Sequence, residues 1–258
     1  MSQLQIIGAD ERLAETRGAK ILLIGPPGAG KTSQLRTLDP ARTLFLDIEA
    51  GDLAVRDVPV RTVRVDDWPS LRDIICRVGG PNPSFPDTAC YSVMHYNTIG
   101  GVFPGAETVD TVFVDSITAA SRLAYRWAEQ QCGKDVRASY GMLARELVSA
   151  LQHLQHARSK NIILVAILER ALDDFNHPFL RIQIEGQKTG RELPGIVDEI
   201  ITLDFVDFGD GEPARSFVCT APNAWNYPAK DRSGRLEQIE EPNLGKLIAK
   251  ITDPQTSN

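Results

Sequence analysis

The sequence predicts an α/β fold with a mostly parallel central sheet flanked by helices, and three observations carry that prediction. Apolar runs of strand length alternate with stretches of helical period along most of the chain, the pattern of a sheet covered on its faces by helices. The run Ile21-Leu22-Leu23-Ile24 passes directly into a glycine-rich loop, GPPGAGKT at 25–32, the order strand, loop, helix. The 258 residues, 42% of them hydrophobic, suffice for one substantial core, so a single domain over 1–258 is expected.

Strands are expected at 20–24, 43–47, 60–65, 111–115, 161–167, 199–205 and 215–219. A helix at 31–38 follows the loop and stops at Asp39-Pro40, because the residue before a proline is pushed out of the helical region. Helices at 68–78 and 117–131 start behind Asp67 and behind Asp115 or Ser116, whose side chains supply N-cap oxygens. Helical period also runs over 140–159 and 243–252. Residues 79–89 hold three prolines and two glycines and open a surface insertion spanning 79–110. Residues 1–19 form an N-terminal extension in which Leu4, Ile6 and Ile7 make an edge strand, docked on a neighbour or packed on its own chain. The tail 253–258 reads as disordered.

Composition excludes several classes. Net charge is -6, from 34 acidic and 28 basic residues, so nucleic acid must be met by a local basic patch rather than by the whole field. Cys76, Cys90, Cys132 and Cys219 show no paired spacing, and His95, His153, His156 and His177 add no metal-ligand pattern, so no zinc site is expected. No run of 18 uncharged apolar residues exists and the first 20 residues lack a signal-peptide core, which predicts a cytoplasmic protein with no membrane partner.

The loop carries the chemistry. G-x-x-x-x-G-K-[ST] needs glycine at 25, 28 and 30 because main-chain N–H groups must wrap phosphate oxygens without side chains in the way. Lys31 then reaches the β- and γ-phosphates and the Thr32 hydroxyl meets magnesium, so ATP and Mg2+ are the expected cofactors. The nucleotide contacts are Gly25, Pro26, Pro27, Gly28, Ala29, Gly30, Lys31, Thr32 and Ser33. Asp115, at the exit of Thr111-Val112-Phe113-Val114, is placed to hold magnesium through water beside Thr32. Glu49, just past Leu44-Phe45-Leu46-Asp47, is placed to orient the water that attacks the γ-phosphate. The plain alternative for Glu49 is a loop carboxylate that caps or pairs locally.

GPPGAGKT, LFLDIEAG, VFVDS, the helix YGMLARELVSALQHL and NIILVAILE resemble, in order and spacing, the core of RecA-like recombinase ATPases. The chain is similar, over about 20–251, to the minimal phage-encoded type associated with single-strand annealing, and NYPAKDRSGRLEQIEEPNLGKLI near the end shares that likeness. The resemblance implies a RecA-like P-loop NTPase core with antiparallel C-terminal strands. It implies Glu49 as catalytic base, Asp115 in the magnesium shell, and Lys31 with Thr32 on the phosphates. It also implies a homo-oligomer in a ring or filament, single-stranded DNA as partner, and a single-strand-binding protein beside it, in the cytoplasm of a bacterial host.

Three segments depart from the family or need it for their meaning. Where recombinases place a polar amide that senses the γ-phosphate, this chain has Leu168-Glu169-Arg170, so Glu169 is either the sensor or a surface ion-pair residue. Lys230 and Arg232 resemble the K-x-R-x-G cations that reach a neighbouring subunit's γ-phosphate; a charged, solvated turn is the alternative. Residues 168–195, without clear periodicity, take the place of a mobile DNA loop, with Arg170, Arg181, Lys188 and Arg191 for the phosphate backbone and Phe175 and Phe179 beside them. A second DNA candidate is 133–140, with Lys134, Arg137 and Tyr140.

The expected activity is therefore ATP hydrolysis coupled to assembly and single-stranded DNA in phage recombination. A nucleotide-switched interaction module without a DNA role is the alternative. A small-molecule kinase fits less well, since a water-orienting carboxylate is present and an arginine-rich lid is not.

Overall fold

The structure, a computed structural model, describes residues 6–100, 105, 108–209 and 211–253. In chain order its elements are α1 (Ala9–Ala14), β1 (Lys20–Gly25), β2 (Thr43–Asp47), β3 (Arg61–Arg64), α2 (Trp68–Gly79), α3 (Val93–Thr98), β4 (Thr111–Asp115), α4 (Ile117–Cys132), α5 (Val136–Gln155), β5 (Asn161–Leu172), β6 (Pro178–Ile182), α6 (Gln187–Ile196), β7 (Glu199–Val206), β8 (Ala214–Val218), β9 (Lys230–Asp231), β10 (Ile239–Glu240) and α7 (Leu244–Thr252).

The sheet runs β10-β8-β7-β1-β5-β4-β2-β3, with β6 paired to β5 and β9 to β7. From β3 to β7 every neighbour on that path is parallel; β8 and β10 are antiparallel, as are β6 and β9. This is a mostly parallel α/β sheet with antiparallel strands toward the C-terminus, the arrangement expected of a RecA-like P-loop fold.

Covered on both faces, the central strands alternate between two cores rather than between core and water. Leu22 and Ile24 of β1, Leu44 and Leu46 of β2, and Val112 and Val114 of β4 face one core, which α2, α4 and α5 close. Ile21, Leu23, Phe45 and Phe113 face the other, where Leu244, Leu247 and Ile248 of α7 pack. Such runs read as continuous hydrophobic stretches in sequence, which is why the expected limits of β1, β2 and β4 agree with the observed ones to within one residue.

Several expectations need correction. The segment after the loop is a 3-10 turn, Thr32–Thr37, rather than an α-helix over 31–38. Its geometry is fixed from outside: Leu244 N–H donates to Thr37 Oγ1 at 3.0 Å and Gln34 Oε1 at 3.2 Å, and a Cβ on Gly245 would collide with the Thr37 carbonyl. The helix expected over 140–159 starts at Val136, behind Asp135, whose carboxylate accepts from Ala138 N–H. The second DNA candidate, 133–140, is thus mostly the first turn of α5.

Residues 168–195 are not an irregular loop but the outer half of β5, a hairpin into β6, and α6. Glycines at 186, 190 and 195 and Pro194 blur the helical period of α6 in the sequence. Within the insertion 79–110, α3 is capped by Ser92, and Tyr91 is buried against the His153 ring at 4.2 Å. Of the N-terminal edge strand, Leu4 lies outside the described residues, and Ile6 and Ile7 sit in irregular chain before α1. Of the tail 253–258, residues 254–258 also lie outside them.

Candidate active site

The site forms where β1, β2 and β4 end at one edge of the sheet. The loop leaves β1 at Gly25, where glycine is required by packing: a Cβ would collide with the Leu203 carbonyl of β7. Gly28 and Gly30 have φ of +82° and +96°, in the left-handed region that side chains disfavour, and nothing lies within 4 Å of where a Gly28 Cβ would be. That open side of the turn fits a phosphate group. Pro26, Pro27 and Gly28 form its outer lip, Ala29 is buried beneath it, and Ser33 is half-buried in the turn that follows.

Lys31 is 9% exposed, and its ammonium donates to the carbonyls of Gly25 at 2.8 Å and Pro26 at 2.9 Å. Burial lowers its pKa, while Asp115, Glu49 and Asp204 favour the charged form. The cation is therefore held across the mouth of the loop, facing three carboxylates.

Strand register brings the carboxylates together. Asp47 and Asp115 are Cα partners at the ends of β2 and β4. Thr32 Oγ1 donates to Asp115 Oδ2 at 2.5 Å. Ser116, the N-cap of α4, donates its hydroxyl to Glu49 Oε1 and accepts from Ala119 N–H. Ala50, with φ of 55°, turns the chain back, so that Gly51 N–H donates to Asp47 Oδ1 at 3.0 Å. Asp47 Oδ2 is buried and has no partner among the described residues.

These groups fit magnesium. The ion prefers hard oxygens, with one or two from the protein and the rest from phosphates and water. The Thr32 hydroxyl and the Asp115 carboxylate are such oxygens, already in contact, with the orphaned Asp47 oxygen on the neighbouring strand. No group of three or more His, Cys, Asp or Glu side chains able to hold a metal alone exists among the described residues.

Burial pushes the Asp115 carboxyl up to about 6, against the hydrogen bond from Thr32; Glu49 and Asp47 push the same way as burial and Lys31 opposes. A folded-state value above the unfolded 3.8 means the native protein holds this proton more tightly. Stability from this group is thus greatest below about 4 and falls as pH rises to about 6, a loss on the order of 2 kcal/mol. Asp115→Asn is expected to remove that loss, raising the melting temperature at pH 7.5 by roughly 5 °C while weakening magnesium-dependent ATP binding. Calorimetric melting across pH 4–8 tests it, and a variant that melts below wild type at pH 7.5 would contradict the assignment.

Glu169 lies two residues past Ile167, the β5 register partner of Gly25, and the remaining expected residues lie on the hairpin, on α6 and on or beside β9. Glu169 and Arg181 are register partners in the hairpin, with Arg181 Nε donating to Glu169 Oε1 at 2.6 Å and Gln183 Nε2 to Oε2 at 3.0 Å. Lys188 pairs loosely with Glu192 at 3.8 Å, and Arg170 and Arg191 are exposed. Lys230 Nζ donates to the carbonyls of Pro194 at 2.7 Å and Val197 at 2.8 Å, at the end of α6. Arg232 donates to Asp198 at 3.0 Å and to the Gly195 carbonyl at 3.1 Å. Both cations sit at the start of β7, where β9 pairs with Glu199 and Ile200, level with Ile21 of β1. Four residues separate that level from Gly25, roughly 13 Å at about 3.3 Å per residue.

Sequence reading missed Asp47, which looked like the last residue of an apolar strand, and Asp204. Asp204 Oδ2 accepts from the Tyr227 hydroxyl at 2.7 Å, and the carboxylate acts on Lys31. An aspartate at each strand exit beside the loop was the available signal.

A main-chain cradle with a buried lysine, closed by a hydroxyl and carboxylate pair at the end of a parallel sheet, defines a P-loop nucleoside triphosphatase. The chain belongs to the AAA domain family, whose model matches residues 17–233, and is an ATPase domain. Among solved structures, flagellar accessory protein FlaH from Methanocaldococcus jannaschii is similar at 12% identity and a TM-score of 0.33, over 81% of this chain and 80% of its own. No curated protein matches the chain. No helix among the described residues is long and apolar enough to cross a membrane.

Proposed function

We propose that the chain is a magnesium-dependent ATPase that assembles through its nucleotide and acts on single-stranded DNA in phage recombination and annealing. Thr32 and Asp115 would hold magnesium, which would supply charge neutralisation for the phosphoryl group. Lys31 binds the phosphate chain, and the loop amides orient it. Glu49, held by Ser116, orients the attacking water and takes its proton.

The observation that carries the assembly reading is the placement of Lys230 and Arg232. They lie at the far end of the sheet from their own cradle, so a triphosphate they meet belongs to another copy of the chain. The DNA reading is supported by the hairpin that extends β5 past the level of the cradle. It carries Arg170, with Arg191 following on α6, and exposes Phe175 (79%) and Phe179 (43%), a pairing of cation and aromatic face suited to an unstacked strand.

ATP hydrolysis measured against protein concentration, with and without single-stranded DNA, tests both. Specific activity is expected to rise with concentration, to rise further with DNA at low salt, and to lose its concentration dependence in Arg232→Ala. A rate per subunit that is flat with concentration rejects the trans role. A second reading, a nucleotide-switched assembly without a DNA role, is favoured by the engagement of Arg181 and Lys188 with acidic partners and by Asp173 and Asp174 at the hairpin tip. It predicts concentration dependence with no response to DNA and no retention of single strands on a filter.

A further inference from the structure

We propose that Arg215 is a further nucleotide-binding residue, a cation that β8 supplies in cis to the phosphate chain lying in the loop. The inference rests on the P-loop ATPase reading and extends it to a residue outside the motif.

Arg215 is the register partner of Phe205 across the antiparallel β7 and β8 pair. Its guanidinium carbon lies over the exposed Phe205 ring, 5.0 Å from the centroid and within cation–π range. The same guanidinium lies against the cradle: a Cβ built on Gly30 would stand 3.1 Å from the Arg215 Cζ and 3.2 Å from Nη1. Glycine at 30 therefore does two things. It permits the left-handed turn, and it leaves room for the arginine at the loop.

Among the described residues Arg215 has no hydrogen-bond or ion-pair partner, whereas Arg36, Arg64, Arg72, Arg158, Arg181 and Arg232 each hold a carboxylate. Asp204, on β7, accepts from the Tyr227 hydroxyl and acts on Lys31, and Asp115 accepts from Thr32. An unpaired guanidinium beside a loop that also carries the Lys31 ammonium is unfavourable by itself, because like charges repel. A bound di- or triphosphate reverses the sign of that interaction.

Arginine suits the place better than lysine. A planar guanidinium can stack on Phe205 with one face and still present its edge N–H groups to phosphate oxygens, with little freedom left to lose. A guanidinium fork fits a phosphate oxygen pair.

Titration calorimetry with Mg-ATP, Mg-ADP and adenosine tests the assignment in wild type, Arg215→Ala and Arg215→Lys. The expected result is a Kd for Mg-ATP and Mg-ADP raised about 10- to 100-fold in Arg215→Ala, with partial recovery in Arg215→Lys and any adenosine affinity unmoved. The melting temperature without nucleotide is expected to stay within about 1 °C, since the side chain is exposed and unpaired. Mg-ATP affinity within twofold of wild type in Arg215→Ala overturns the proposal and leaves the P-loop reading standing. A loss that Arg215→Lys does not relieve at all, or that comes with an equal loss of nucleotide-free stability, assigns Arg215 to loop packing and also overturns it. Wild-type protein that binds no Mg-ATP overturns both readings.

Discussion

Lys31→Ala is expected to lower ATP turnover by about 10³-fold or more and to weaken Mg-ATP binding, the largest single effect available in this chain. The size follows from where the ammonium sits. It is desolvated, fixed by two loop carbonyls, and faces three carboxylates, so its charge acts on a phosphate oxygen through a medium much less screening than water. Removing it also removes the cation that opposes burial at Asp115. The Asp115 carboxyl is then expected to titrate above about 6, with magnesium-dependent binding lost over a wider range of low pH. Phosphate release assays and nucleotide titrations between pH 5.5 and 8 measure both consequences. Turnover within tenfold of wild type would show that another group carries the charge.

The second large effect is Glu49→Gln, expected to reduce hydrolysis by about 10² to 10⁴ while leaving ATP affinity close to wild type. The amide keeps the size and accepts the Ser116 hydroxyl through its carbonyl, so the turn at Ala50 is kept, but it cannot take a proton from water. Single-turnover hydrolysis beside equilibrium binding separates the two quantities. Equal losses in both would place Glu49 in the architecture of the turn rather than in the chemistry. Ser116→Ala is a useful companion, because it frees Glu49 without changing its charge.

The parts of this site legible in sequence were the contiguous ones. GPPGAGKT states its own geometry, since each role is set by backbone within a few residues, and the structure adds only the reason that Gly25 must abut Leu203. Asp115 and Glu49 were legible as carboxylates at strand exits. The contacts that orient them were not: either Asp115 or Ser116 read as the helix cap, the structure makes it Ser116, and the same hydroxyl also holds Glu49. Arg215 could not be read at all, because nothing local distinguishes it from any other exposed strand residue. It comes to lie beside the loop through the parallel pairing of β1 with β7 and the antiparallel pairing of β7 with β8, both far along the chain from the loop.

The elements divide along the same line. β1, β2, β4 and the inner parts of β5 and β7 were legible because both faces are buried, so each is a dense apolar run; β3, the exposed edge strand Arg61–Arg64, carries only the alternation of its side chains. The 3-10 turn after the cradle was not, because α7, from the other end of the chain, sets its geometry. The hairpin and α6 were obscured because glycine, proline and half-exposed strands erase periodicity.

By itself the sequence determined a phosphate cradle, the lysine and hydroxyl that serve it, and a parallel sheet to mount it, since these follow from short-range sterics and the spacing of apolar side chains. Only the tertiary structure decided which distant residues share the cradle's edge and which lie at the opposite end. Strand order and register translate position along the chain into position along the sheet, and that translation is made by packing between segments, with no trace in either segment alone. It sets Asp47, Glu49, Asp115 and Arg215 beside one loop and carries Lys230 and Arg232 away from it.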